Sequence, residues 1–163
     1  MITRFRGEYF PFSNMFVVRN PLETTDGIEV PTSEHKYMAD RFKDPAIRKV
    51  LAGVRASPED IRPYAHGLAV KTEAYRLIEE GALTYNTDEE RIANMYQAVK
   101  MKFVRNAGPA ALLLSTAPQE ISEGNDWEDR FWGVDPVGSN DGQNHLGKIL
   151  MQVRAELPEL TRI

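Results

Sequence analysis

Glu34 and Arg41 lie seven residues apart in a segment that has the features of a helix, and they are the first candidates for chemistry. A proline followed by Thr32 and Ser33 is typical of a helix start. Because side chains at i, i+3 and i+7 of a helix share one face, we expect Glu34 and Arg41 to lie on the same side as Tyr37. A carboxylate and a guanidinium placed in this way suit a site that handles an anionic sugar.

Both residues also have an ordinary structural interpretation. A glutamate in the first turn of a helix can cap the helix or interact with its dipole, and an arginine two turns later commonly lies in solvent. His35 diverges from Glu34 by about 100° around the helix. We therefore expect His35 either to bind ligand, or to pack under the sheet or cap backbone carbonyls.

The composition restricts the class of protein. A chain of 163 residues with 42% hydrophobic content can bury one sizeable core, so we expect a single domain over residues 1–163. The absence of cysteine excludes disulfides, thiolate catalysis and cysteine-ligated metals. A formal charge of −4 argues against tight, sequence-independent binding of nucleic acid. No stretch approaches the ~20 apolar residues of a membrane helix, which predicts a cytoplasmic protein without a membrane partner.

Turn signals and apolar periodicity predict an α+β fold that is predominantly helical, with a small N-terminal sheet. Strands are predicted over residues 2–5, 15–19 and 27–30. Helices are predicted to begin at Ser33, Pro45 and Ser57, and to cover residues 70–80, 88–106, 109–115 and a final stretch from 146 to 157. The polar, irregular segment 116–142 between the last two helices holds both tryptophans, and loops of this composition often carry function.

Four blocks of the sequence, in this order, resemble the NADAR/YbiA-like family. They are Phe5–Phe16 with its Ser13-Asn14 pair, Ser33–Phe42, Lys102–Asn106, and Asp129–Gly133 followed by Gly142–Arg154. The resemblance implies a YbiA-like single domain that is mostly helical. It also implies an N-glycosidase acting on ribosylated bases or ADP-ribose conjugates, with no metal or cofactor.

Cleavage of an N-glycosidic bond passes through a cation-like sugar centre, so the site needs a carboxylate near the anomeric carbon and a positioned water. Within the resemblance, Glu34 matches the glutamate of the family's Ser-Glu-His pattern and is expected to stabilise the sugar cation or orient water. Arg41 and Arg6 are expected to hold phosphate, because a guanidinium presents a two-pronged set of donors. Trp132 is expected to stack on the base or adenine, and Gly133 to let the backbone approach a ligand.

Other positions in these blocks are expected to contact substrate or to serve local structure. Asp129, the third catalytic candidate, has the alternatives of binding ribose hydroxyls or capping the following turn. Asn14 and Asn144 have the alternatives of fixing hydroxyls or acting as turn and cap residues. The helix after Asn144 could also bind phosphate through its free N-terminal amides. The remaining candidates for substrate contact are Gly7, Glu8, Ser13, His35 and Lys102, with a solvated helix face as the alternative for Lys102.

One position departs from the resemblance, because many relatives carry lysine where this chain has Arg41. An amine could attack an opened sugar, which a permanently protonated guanidinium cannot do. An amine would then have to come from Lys36, Lys43 or Lys102. The preferred substrate is ADP-ribosylated guanine carried on DNA or RNA. The alternatives are ribosylamino intermediates of riboflavin synthesis, or an ADP-ribose-binding module without turnover.

Overall fold

A computed structural model describes residues 1–161 of the chain. Its contacts group the residues into two compact units. The first unit combines Met1–Ser13 with the segment from Asn106 onward, and the second unit is Asn14–Arg105. The expectation of a single domain over the whole chain stays a prediction.

The elements confirm the predicted α+β class, mostly helical with a small sheet near the N-terminus. In chain order they are a 3-10 helix (Gly7–Phe12), strands β1 (Leu22–Glu23) and β2 (Glu29–Val30), and helices α1 (Ser33–Asp40), α2 (Pro45–Ala52), α3 (Ala65–Glu79), α4 (Asp88–Arg105), α5 (Ala107–Ser115) and α6 (His145–Leu160). Every helix within residues 1–161 is too short or too polar to cross a membrane.

Helix α1 is the centre of the second unit. Helices α2, α3 and α4 and both strands all contact it. Its residues 33–39 are all buried, and these include Glu34, His35 and Lys36. Because a charged group loses its hydration inside a protein, such side chains need partners there. Lys36 has one, since its ammonium lies 2.8 Å from the carboxylate of Asp40 one turn later.

The small sheet is an antiparallel hairpin in which Leu22 faces Val30. Its turn contains the predicted Asp26-Gly27 pair, with Gly27 at a φ of +76° that favours glycine. Of the three predicted strands, only 27–30 overlaps a strand. Residues 15–19 form no strand, and the backbone amide of Val18 donates to the carbonyl of Pro31. Ile2 forms only an isolated bridge with Ile121.

The predicted helix start at Ser57 is wrong. The carbonyl of Ser57 accepts a bond from the amide of Asp60, which closes a single turn, and the next helix begins at Ala65. The sequence reason lies at Pro63, because a residue that precedes proline disfavours the helical conformation. Arg62 instead folds back on Asp60, with an ion pair of 2.6 Å.

The first unit is built on α5 and α6. Helix α5 contacts both α6 and the 3-10 helix. Its core is apolar and includes Phe5, Phe12, Leu113, Ile121, Val134, Leu146, Ile149, Leu150, Val153 and Leu157. The predicted last helix is therefore confirmed, and it contributes an apolar face to this core. The irregular segment between α5 and α6 is held by backbone bonds, among them those that join Asn125 with Val134 and Gln143 with Arg130.

Candidate active site

The start of α1 fixes the position of Glu34. Thr32 is the N-cap, and its side-chain oxygen accepts the backbone N–H of His35 at 3.0 Å. In a reciprocal cap, the returning side chain is that of the third helical residue, which is His35 here. Glu34 is the second helical residue, so the reciprocal capping alternative does not apply to it. Its side chain is nevertheless buried, with 5% exposure.

Glu34, Tyr37 and Arg41 form one buried cluster along a face of α1. The guanidinium of Arg41 lies over the ring of Tyr37, 5.6 Å from its centre. Burial raises the pKa of the Tyr37 phenol, the nearby guanidinium groups of Arg41 and Arg91 oppose this rise, and the carboxylate of Glu34 adds to it. The shared face predicted from the spacing is therefore present, and Arg91 of α4 joins it.

Arg41 is not the solvent-exposed arginine of the structural alternative. It is 7% exposed, and its Nε is buried without a hydrogen-bond partner among residues 1–161. Burial removes the water that would hydrate this guanidinium. The contact with the aromatic ring compensates only partly for the lost hydration. Such a group is well suited to bind an anion that enters the site.

Asn14 joins the start of α1 to α4. Its Oδ1 accepts the hydroxyl of Ser33 at 2.8 Å, and its Nδ2 lies 3.3 Å from the sulfur of Met95. Its backbone carbonyl accepts the amide of Glu34 at 3.1 Å. Asn14 therefore positions the backbone that carries Glu34, which is a structural use of the residue predicted to bind substrate.

His35 is used inside the fold. Its Nε2 lies 2.8 Å from the carbonyl of Val54, which can only accept, so Nε2 carries the proton. Its Nδ1 then accepts the hydroxyl of Thr32 at 2.7 Å. Burial lowers the pKa of His35 to about 4, which keeps the ring neutral at pH 7. With both nitrogens engaged, the structure favours the packing and capping alternative over ligand contact.

The three candidate amines have different environments. Lys36 is paired with Asp40, and Lys43 is an exposed residue over the ring of Tyr85. Lys102 is fully buried, and its Nζ lies 5.6 Å and 5.3 Å from the ring centres of Phe16 and Phe103. Burial lowers the pKa of Lys102 to about 7, so its amine is partly neutral at physiological pH. The solvated-face alternative for Lys102 is wrong.

In the first unit, Asp129 caps the turn that follows it. Its Oδ1 accepts the backbone amides of Phe131 and Trp132 at 3.2 Å and 2.9 Å. Its own backbone is held by the side chain of Asn125, which bonds both the amide and the carbonyl. The structure therefore gives Asp129 the capping alternative of the two predicted from the sequence.

Asn144 is also engaged by its neighbours. Its Oδ1 accepts the amide of Glu123 at 3.0 Å, and its Nδ2 donates to the carbonyl of Ile121 at 2.9 Å. The N-terminus of α6 is not a free set of amides, because His145 and Leu146 donate to the carbonyls of residues 131 and 132. The carbonyls of residues 131 and 132 therefore occupy the position at the N-terminus of α6 where a phosphate was expected to bind.

Trp132 packs among rings. It meets Phe131 edge to face at 4.7 Å and His145 at 6.4 Å, and it is half-buried. A side chain at Gly133 would overlap the carbonyl oxygen of Glu123, so the close approach that requires glycine is made by the protein's own backbone. The structure thus explains Gly133 without a ligand, while stacking by Trp132 stays a prediction.

The remaining candidates lie at the ends of the 3-10 helix. Arg6 precedes it and is exposed, as are Gly7 and Glu8 within its first turn. Gly7 has a φ of +59°, a conformation that favours glycine. Ser13 follows the helix, and its amide donates to the carbonyl of Phe10. The roles of these residues in binding stay predictions.

Sequence reasoning missed Arg91. It lies one turn before Met95 and three turns before Lys102, so the three share a stripe of α4. On this stripe, Arg91 and Lys102 lie at the two ends and Met95 lies between them. Two cations on an otherwise apolar stripe are the signal that could have identified Arg91. Within residues 1–161, no three His, Asp or Glu side chains come close enough to hold a metal ion.

The chain belongs to the NADAR domain family, whose model matches residues 4–158. A curated N-glycosidase YbiA of Shigella flexneri serotype 5b is 31% identical over 150 residues, which cover 92% of this chain and 82% of that protein. A riboflavin biosynthesis protein of Vibrio vulnificus is 34% identical over 139 residues. The match covers 83% of this chain but only 33% of the Vibrio protein.

The fold is also that of a solved relative. The NMR structure of Escherichia coli YbiA matches with a TM-score of 0.68 and 27% identity, and the match covers 98% of this chain and 88% of that chain. The predicted family and YbiA-like fold are therefore confirmed. The predicted enzyme class, an N-glycosidase, is confirmed by the names of the curated relatives.

Proposed function

We propose that this N-glycosidase removes a ribosyl or ADP-ribosyl group from a nucleobase, with ADP-ribosylated guanine in nucleic acid as its preferred substrate. The observation that carries the proposal is the buried cluster on α1, in which a carboxylate shares one helix face with a guanidinium. The first group suits a cationic sugar and the second suits its phosphate.

The reaction exchanges one bond at the anomeric carbon for another. The bond from this carbon to the base nitrogen breaks, and its electron pair leaves with the base. The carboxylate of Glu34 stabilises the resulting sugar cation or orients the water that adds to it. The proton lost by the water ends on the base. Because Glu34 is buried, its attraction for the cation is stronger than it would be in bulk water.

The first test replaces Glu34 by Gln, which keeps the shape and removes the charge. Guanine-ADP-ribosylated DNA is incubated with each protein, and release of free ADP-ribose is followed. We expect the variant to lose about 10²-fold or more of the rate, the usual effect of removing a group that stabilises transition-state charge. Glu79→Gln, which changes an exposed glutamate at the end of α3, is the matched control and should retain the wild-type rate. Equal rates for Glu34→Gln and wild type would refute the role of Glu34.

A second substrate class is favoured by the Vibrio relative, which is named a riboflavin biosynthesis protein. Ribosylamino intermediates of that pathway contain the same type of N-glycosidic bond. Supplying such a compound alongside the modified DNA decides between the two classes. Faster release of the ribosyl group from that compound than of ADP-ribose from the modified DNA would favour the riboflavin-type substrate.

Binding without turnover is the remaining alternative, and it rests on arginine at position 41. If an amine is required at this position, wild type binds ADP-ribose without cleaving any conjugate, and Arg41→Lys gains activity. If arginine suffices, wild type cleaves and Arg41→Lys gives no gain. Thermal stabilisation by ADP-ribose, measured beside activity, separates binding from turnover.

A further inference from the structure

Three exposed residues lie together just beyond the end of α1. The ammonium of Lys43 lies 5.5 Å from the ring centre of Tyr85, and 40% of Tyr85 is exposed. Leu83, two residues before Tyr85, is 72% exposed. Exposed apolar side chains that cluster beside a charge are typical of surfaces that bind a partner. We call Lys43, Leu83 and Tyr85 the Tyr85 surface.

Backbone pairing holds the Tyr85 surface against the end of the candidate catalytic helix. Phe42 and Thr84 form an antiparallel bridge, and the amide of Tyr85 donates to the carbonyl of Arg41 at 2.7 Å. Successive side chains of paired segments point to opposite sides. Because Phe42 is fully buried, the side chains of Lys43 and Tyr85 point away from the core.

The positive charge of Lys43 is not balanced by any ion pair within residues 1–161. The carboxylate of Asp44, next in the chain, accepts a backbone amide of α2 as its N-cap. Hydrogen bonding to Asp26 and, more weakly, the phenol of Tyr85 raise the pKa of Arg48, which places this guanidinium near the phenol. Asp26 already neutralises Arg48 through an ion pair of 2.7 Å. Lys43 is therefore the cation that can attract an anion to this ring.

Another exposed cation–aromatic pair of the same unit shows the difference. The guanidinium of Arg62 lies 5.1 Å from the ring centre of Tyr64, and the carboxylate of Asp60 pairs with Arg62 at 2.6 Å. The cation over Tyr64 therefore has its anion within the protein. The cation over Tyr85 combines with an anion that comes from outside.

We propose that the Tyr85 surface binds one nucleotide of the strand that carries the ADP-ribosyl group, with the base stacked on Tyr85 and the phosphate held by Lys43. This inference rests on the proposed function and adds a contact to the acceptor strand outside the buried cluster on α1. Every base has a planar π-face and every nucleotide has a phosphate, so the contact tolerates any sequence. A single phosphate contact also agrees with a chain whose formal charge is −4.

The test measures binding and does not depend on turnover. A short single strand of unmodified DNA is titrated into the full chain at low salt, and NMR follows the signals of the Tyr85 ring. We expect weak binding, because one nucleotide is held, with shifts at Tyr85. Tyr85→Ala should weaken this binding by about 5- to 100-fold, the range for loss of one stacked base. Tyr85→Phe keeps the ring and should bind like wild type.

Tyr75→Ala is the matched control, because Tyr75 on α3 is 43% exposed, much like Tyr85. It should bind the strand as wild type does. Lys43→Gln should weaken binding and reduce the slope of log affinity against log salt by about 1, as expected for one phosphate contact. Circular dichroism verifies that each variant is folded. Unchanged Tyr85 signals on adding DNA would refute the contact, and so would equal losses for Tyr75→Ala and Tyr85→Ala.

Kinetics with guanine-ADP-ribosylated DNA separate this contact from the proposed function. Because Tyr85 holds the strand and does not touch the reacting bond, Tyr85→Ala should raise KM and leave kcat near the wild-type value. Strand binding that depends on Tyr85, without cleavage of any substrate, would retain the contact and reject the hydrolase. Cleavage that depends on Glu34, with the same KM for wild type and Tyr85→Ala, would retain the hydrolase and reject the contact.

Discussion

At the residue scale, Lys102 shows how burial changes the chemistry of an amine. Removing water from the ammonium lowers its pKa from 10.5 to about 7. The unfolded chain keeps the ordinary value, so between pH 10.5 and pH 7 it binds a proton that the folded chain does not bind. The free energy of unfolding therefore falls as the pH is lowered through this range, and the effect levels off below about pH 7.

Replacing Lys102 by Met should raise stability at neutral pH. Methionine fills a similar volume but has no amine whose protonation stabilises the unfolded chain. We therefore expect the free energy of unfolding to rise by about 2–4 kcal/mol at pH 7. The difference should shrink at pH 9.5. Urea unfolding at both pH values measures it, with Lys100→Met, a partly exposed lysine of the same helix, as control. A variant less stable than wild type at both pH values would contradict this account.

The Lys102→Met variant also tests whether the buried amine is needed for activity. A protein that becomes more stable and less active when a buried amine is removed has kept that amine for its activity. His35 differs, because its neutral ring is fully bonded to Thr32 and Val54 and its role follows from structure alone.

At the scale of elements, the starts of α6 and α1 have different roles, one in local structure and one in positioning a candidate catalytic residue. Helix α6 begins against the carbonyls of residues 131–133, so its first amides stabilise a loop. Helix α1 begins with a side-chain cap that is itself buried, and its first turn contains Glu34. The N-cap Thr32 therefore supports the candidate catalytic residue indirectly.

We expect Thr32→Ala to destabilise the fold more than a comparable cap elsewhere. The change removes the cap and also leaves Nδ1 of His35 unbonded, at a combined cost of about 2–4 kcal/mol. Thr87→Ala is the matched control, since Thr87 accepts the amide of Glu90 at the exposed start of α4 and should cost about 1 kcal/mol. Chemical unfolding of the two variants measures the difference. Equal losses would show that the bond to His35 contributes little.

At the scale of the whole molecule, the formal charge of −4 bears on how modified nucleic acid would be recognised. A chain with this charge has little general affinity for phosphate backbones, so the ADP-ribosyl group should provide most of the binding. The arginines of the second unit suit a local phosphate, and they do not require a basic surface.

Three outcomes therefore follow for a hydrolase of ADP-ribosylated DNA. An excess of unmodified DNA should not slow release of ADP-ribose, whereas free ADP-ribose should inhibit it. Raising salt from 50 to 200 mM should change the rate by much less than the roughly 10³-fold typical of proteins with many phosphate contacts. Strong competition by unmodified DNA would contradict recognition through the ADP-ribosyl group.

Local sequence signals predicted most of the helices. Apolar periodicity identified α3 to α6, and the Pro45 and Thr32-Ser33 signals identified the starts of α2 and α1. The same kind of signal failed at Ser57, where a second proline at position 63 prevents a helix. It also failed near the N-terminus, where the 3-10 helix Gly7–Phe12 lacks a periodic pattern.

The sequence by itself determined the family, the helical class and the face of α1 that contains Glu34, Tyr37 and Arg41, because these depend on residue order and helical spacing. Only the tertiary structure decided that Arg41 and Lys102 are buried and that Arg91 lies beside Tyr37. It also decided that Asp129, Asn144 and His35 bond to the protein itself. Burial and hydrogen-bond partners depend on which distant segments pack together, and spacing along one helix contains no information about them.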